Sequence, residues 1–152
     1  MRVEDRRNIA LELADAVAIG LFAGIVGLHG ELLNSSLGGW IGLAIGGVLG
    51  GLVVQRARLL LLTGLAAGLP ALVTAFLIPT AACLRVIGVA LFAVLALSAV
   101  VITPAMGIVA MKARPAMPMR LQPAISIAAG IAAITAIAGW AALFASVPFG
   151  TC

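Results

Sequence analysis

Five apolar runs, with nearly all the charge confined to the gaps between them, limit what this chain can fold into. They extend from about Ile9 to Leu28, Gly39 to Val54, Leu59 to Ile78, Val86 to Val109 and Pro123 to Val147. A helix that crosses a bilayer needs about 20 mostly apolar residues. The chain is 64% apolar and 9% charged over 152 residues, with a mean hydropathy of +1.28. A soluble domain carries about a quarter charged residues, and one with so few would expose large apolar patches, which soluble monomers avoid. We therefore expect an all-α, polytopic membrane bundle of five helices, forming a single transmembrane domain over residues 1–152. The gaps at Gly30–Leu37, Gln55–Arg58, Pro79–Arg85 and Ala110–Gln122 are short, which predicts that consecutive helices are antiparallel neighbours.

The first run holds two acids, Glu12 and Asp15. Its ten Ile, Leu, Val and Phe residues between Ile9 and Leu28 favour insertion by roughly 3–6 kcal/mol on the biological scale. An acid at the helix centre costs about 2.5–3.5 kcal/mol on that scale. Two central acids would cancel the gain, but these lie in the first two turns, near the headgroups, where the cost is smaller.

Basic residues set the expected orientation. Arg2, Arg6 and Arg7 precede the first run, Arg56 and Arg58 follow the second, and Lys112, Arg114 and Arg120 follow the fourth. Five crossings place all of these on one side and Arg85 alone on the other. Cytoplasmic loops are rich in Lys and Arg, so the N-terminus is expected inside and the C-terminus outside, in a cell inner membrane. Trp40 and Trp140 then both fall at the external interface, where indole rings prefer to sit. A nucleic-acid role for the net charge of +4 is set aside, because those charges lie where headgroups and the insertion machinery read them. The mixed charges of Arg2, Glu4, Asp5, Arg6 and Arg7 do not resemble a cleaved signal peptide.

Glycine spacing is the most specific motif. Gly38, Gly42, Gly46 and Gly50 form one row in the second run, and Gly47 and Gly51 extend the adjacent one. Residues four apart share a helix face, and small residues there let backbones approach closely in lipid. Gly20 and Gly24 repeat the spacing in the first run, Gly64 and Gly68 in the third, and Ala128, Ala132 and Ala136 in the fifth. Glycine is also simply commoner in membrane helices. Four in register nonetheless favour a helix-packing surface, within the chain or against another subunit.

Pro70 and Pro104 interrupt the third and fourth runs, and each removes a helix hydrogen bond. Without an internal repeat, kinks tolerated by neighbouring helices explain them better than a transport site. Glu12 and Asp15, three apart, share a face and form a candidate intramembrane polar site for a proton or cation, or for pairing with Arg56 or Arg58. The competing explanation is an interfacial acidic pair favoured by the helix dipole. His29 and Glu31 read as a polar cap, since one histidine is too few for a bis-histidine haem and two residues do not close a metal site. Cys83 and Cys152 both fall on the external side and are candidates for a disulfide, or are two unpaired thiols. There is no Ser-His-Asp arrangement, P-loop, metal cluster or intramembrane lysine, so neither catalysis nor a cofactor is expected.

These features suggest a small non-catalytic accessory or structural subunit, packed glycine face first against larger membrane partners. The alternative is a self-assembling transporter or channel whose homo-oligomer builds a pathway. An enzyme acting on lipid is a remote third.

Overall fold

A computed structural model of the chain describes residues 3–33, 36–77, 85–113 and 122–146. Outside the turn Val54–Arg56, every described residue is α-helical. The helices are α1 (Val3–Leu33), α2 (Ser36–Val53), α3 (Ala57–Leu77), α4 (Arg85–Ala113) and α5 (Gln122–Ser146). The expected gap at Gly30–Leu37 is largely helical instead. Gly30 and Gly38 lie against one another, with a β-carbon on Gly38 reaching within 2.8 Å of the Gly30 carbonyl oxygen. Both helices therefore continue into the space left for a loop. α4 likewise runs past Val109 to Ala113.

Among the described residues, three helices contain stretches long and apolar enough to cross a membrane: Asn8–Gly30, Ala57–Phe76 and Val89–Ala113. The apolar stretches Leu37–Val53 in α2 and Ile127–Gly139 in α5 are shorter. With a rise of about 1.5 Å per residue, the 18 residues of α2 reach about 27 Å, slightly less than a typical hydrocarbon core.

Four helices form a ring in the order α1, α2, α4, α3. Matching contacts give their directions. Gly42 of α2 approaches Gly27 of α1, and Gly38 approaches Gly30, so these helices run antiparallel. Gly20 and Gly24 of α1 meet Thr63 and Ala67 of α3 in the same sequence direction, so those two are parallel. The pairs α2 with α4 and α3 with α4 are parallel and antiparallel respectively, through Gly47–Thr103, Gly51–Gly107, Gly64–Pro104 and Gly68–Ala96. The expectation that consecutive helices are neighbours fails twice. α2 and α3, joined by a three-residue turn, sit diagonally with only limited contact. α5 packs on α1, with a marginal approach to α2, rather than on α4. Close packing of small-residue faces, not chain proximity, chooses the partners.

The ring buries small and bulky apolar residues together. Its core joins Ala23, Leu28, Leu43, Ala67, Ala71, Phe92, Leu95, Ala96 and Ala99. Outward stripes carry further apolar side chains: Ile41, Ile45 and Leu49 on α2, Leu61, Leu65, Leu69 and Leu72 on α3, and Val94, Leu97 and Val101 on α4. Lipid solvates leucine as well as a protein core does, so van der Waals fit rather than exclusion from water decides which face turns inward. A second cluster, Ala16, Val54 and Leu60 with Leu59, Leu62 and Met111 against it, closes the end of the ring at the α2–α3 turn.

Candidate functional site

The glycine rows lie at the helix crossings. In α2, a β-carbon at Gly46 would collide with the Cβ of Ala23 and come within 3.1 Å of its Cα. At Gly42 it would lie 2.8 Å from the Gly27 nitrogen. Gly50 turns toward Thr63, Leu60 and Ile19, the nearest atom being Thr63 Cγ2 at 3.3 Å. The adjacent row faces α4: Gly47 meets the Thr103 carbonyl oxygen and Gly51 that of Gly107. On α1, Gly20 and Gly24 meet the Thr63 and Ala67 carbonyls of α3. Two faces of α2 are thus covered by the chain's own helices. The version of the subunit idea in which that glycine face meets a larger partner loses its surface.

Pro104 fills the notch at Gly64, and beside it Thr103 is fully buried with its hydroxyl donating to the Leu43 carbonyl of α2 at 3.4 Å. Thr63 and Thr74 are buried as well, donating to the Leu59 and Pro70 carbonyls one turn back at 3.1 and 2.7 Å. This local bonding lets a hydroxyl sit in an apolar interior without an unmet donor. Spacing alone passed over Gly27, Gly30, Gly107 and Thr103. Thr103 offered one signal, a polar residue next to a proline in an apolar run.

Glu12 and Asp15 are both buried on α1, near the α2–α3 turn. Arg56, in that turn, places Nε 3.9 Å from Glu12 Oε2. The same oxygen is buried and accepts no hydrogen bond. Asp15 is held in interactions of its own. Arg58 on the first turn of α3 and Lys112 near the end of α4 are exposed. The turn thus brings a cation to an acid that lies 44 positions earlier in the chain, and closes that end of the ring with a charged pair.

At the opposite end, His29 is partly buried and its Nδ1–H donates to the Ile25 carbonyl at 2.9 Å, which satisfies that nitrogen within α1. Trp40, at the start of α2, is exposed. The side chains of Glu31 and Trp140, and both cysteines, Cys83 and Cys152, lie outside the described residues. On α5, Ala132 and Ala136 are partly buried beside buried Ala133, whereas Ala128 is exposed. Among the described residues, no three or more His, Cys, Asp or Glu residues gather as a metal site. No protein-family model, curated protein or solved structure matches this chain.

Proposed function

We propose that this chain is a small, non-catalytic membrane protein that crosses the inner membrane five times, N-terminus inside, and serves as an accessory or structural subunit of a larger complex. The position of α5 carries the subunit reading. This helix holds to the ring through α1 and turns Ile127, Ile131 and Ile134 outward. Open space surrounds Gly130 and Gly139, with no neighbouring atom within 4 Å of a β-carbon at either. The partner therefore meets α5, not the glycine face of α2. Parity supports the crossings. α1 and α3 are parallel and both long enough to span, so the chain must return between them, and α2 supplies that return.

The test is gentle detergent extraction at native expression level, followed by mass measurement of the intact particle. Stoichiometric, larger chains that dissociate when Gly130 and Gly139 are replaced by leucine are the expected result. A monomer overturns the subunit reading. A particle made of this chain alone favours a second reading, a self-assembled transporter or channel, whose support is the buried Glu12 carboxyl.

A further inference from the structure

Arg58 of α3 and Lys112 of α4 are both exposed, and among the described residues neither enters an ion pair. The packing of their helices puts them at the same end of one seam. Gly64 rests on Pro104, and a β-carbon at Gly107 would come within 2.9 Å of Leu60 Cδ2. From that second contact, Arg58 lies two residues back along α3 and Lys112 five residues on along α4. The helices are antiparallel, so both steps lead toward the α2–α3 turn, where Met111 packs beside Val54 and Leu60. At about 1.5 Å per residue the two levels differ by about 5 Å, and packed helix axes lie about 8–10 Å apart. Two long side chains bridge such a gap to one shared anion.

The seam beside these cations is apolar. Leu65 and Ala105 each follow a contact residue, Gly64 or Pro104, about 100° round the helix. In antiparallel helices that turn carries both to the same side of the pair, and both are exposed, so this side is the outer surface of the ring. Leu61, Leu65, Leu69 and Leu72 continue the face of Arg58 at helical spacing, as Val109, Ala105 and Val101 continue that of Lys112. Leu61 to Leu72 covers about 16 Å, roughly the depth of one leaflet. α3 and α4 both contain stretches long and apolar enough to cross a membrane. We propose that this groove holds an anionic phospholipid, with its phosphate between Arg58 and Lys112 and an acyl chain along the stripe. The guanidinium offers phosphate two parallel hydrogen bonds, and the ammonium adds a point charge. Basic pockets between helices at a membrane surface take such headgroups. Among the described side chains, the acids at this end are Glu12 and Asp15, buried on α1, which meets α3 on its Thr63 and Ala67 face and not on the stripe. The inference goes beyond the subunit reading and needs only that α3 and α4 cross the bilayer.

The test titrates the full chain in neutral detergent micelles with palmitoyl-oleoyl phosphatidylglycerol, or with the phosphatidylcholine of the same chains. Native mass spectrometry reads the lipid retained. Phosphatidylcholine carries the same phosphate, but its choline cancels the charge. The first phosphatidylglycerol is expected to be retained at roughly 30-fold lower concentration than phosphatidylcholine, from about fivefold per cation. Arg58→Gln or Lys112→Gln alone should cut that preference about fivefold, and the two together should remove it. Arg2→Gln combined with Arg120→Gln takes away the same net charge at positions outside the described residues, and should leave the preference in place. Circular dichroism checks the fold of each variant, and if the Arg58 and Lys112 double variant unfolds, the single ones carry the test. Equal loss in the two double variants makes the attraction a property of net charge and overturns the proposal. Absence of any preference in the parent chain overturns it too. Displacement of the lipid by an equal concentration of inorganic phosphate or glycerol 3-phosphate assigns the cations to a free anion, which also overturns it.

Discussion

Pro104 is seated against Gly64: a β-carbon on the glycine would come within 2.9 Å of the proline Cδ and 3.1 Å of its Cγ. A proline in mid-helix leaves a bulky ring where a hydrogen bond is missing, and here the fold turns that ring inward onto a residue with no side chain. The ring is stiff, so it cannot fold away from an intruding methyl. Gly64→Leu is expected to destabilise the bundle by about 1–3 kcal/mol through overpacking. Gly130→Leu, which meets open space, should stay within about 0.5 kcal/mol in the isolated chain. Thermal unfolding in detergent checks both, and equal midpoints for the two variants would remove Gly64 from the crossing.

Gly46→Leu is expected to be worse tolerated than exchange of Leu49 for another apolar residue. Gly46 lies on Ala23, whereas Leu49 is exposed on the outer face of α2. Leu43, on the same helix, is 1% exposed and belongs to the core. Leu43→Ala should therefore cost about 2–5 kcal/mol, while Leu49→Ile is nearly silent. Detergent-resistance melting curves of the three variants test the order.

Thr103→Val should be mild despite complete burial. The hydroxyl reaches the Leu43 carbonyl at 3.4 Å, longer than a good hydrogen bond, and interhelical bonds in lipid average about 0.6 kcal/mol. Valine keeps the volume and leaves no donor behind. A loss above about 2 kcal/mol, beyond the largest values of this kind, would mean that the hydroxyl holds α4 to α2 more firmly than its geometry implies.

Reporter fusions after Arg7, Leu33, Ala57 and Cys152 are expected to read inside, outside, inside and outside. The alternation of the first three positions follows from the parallel course of α1 and α3, the side on which it starts from the distribution of Arg and Lys, and the last position from an odd number of crossings. An inside signal at Cys152 would remove α5 from the list of spans and place the two cysteines on opposite faces.

The helical nature of the chain and the approximate place of each helix follow from apolar runs that only a lipid environment suits. Small-residue rows are equally legible, since i and i+4 must share a face whatever the surroundings. What meets those rows is not. Gly42 and Gly46 could approach any small surface, and only the assembled ring shows that Gly27 and Ala23 supply it while Gly47 and Gly51 take α4. Sequence proximity misleads here, because α2 and α3 share a turn yet sit on a diagonal, and α5 leaves its chain neighbour α4 for α1. α2 and α5 carry no charged residue, so no polar face marks which of their surfaces turns inward. Selection falls to atomic fit, a property of pairs of surfaces. The same holds for Glu12: its place in an apolar run is visible in the chain, but its burial and the approach of Arg56 arise only when the α2–α3 turn folds back onto α1.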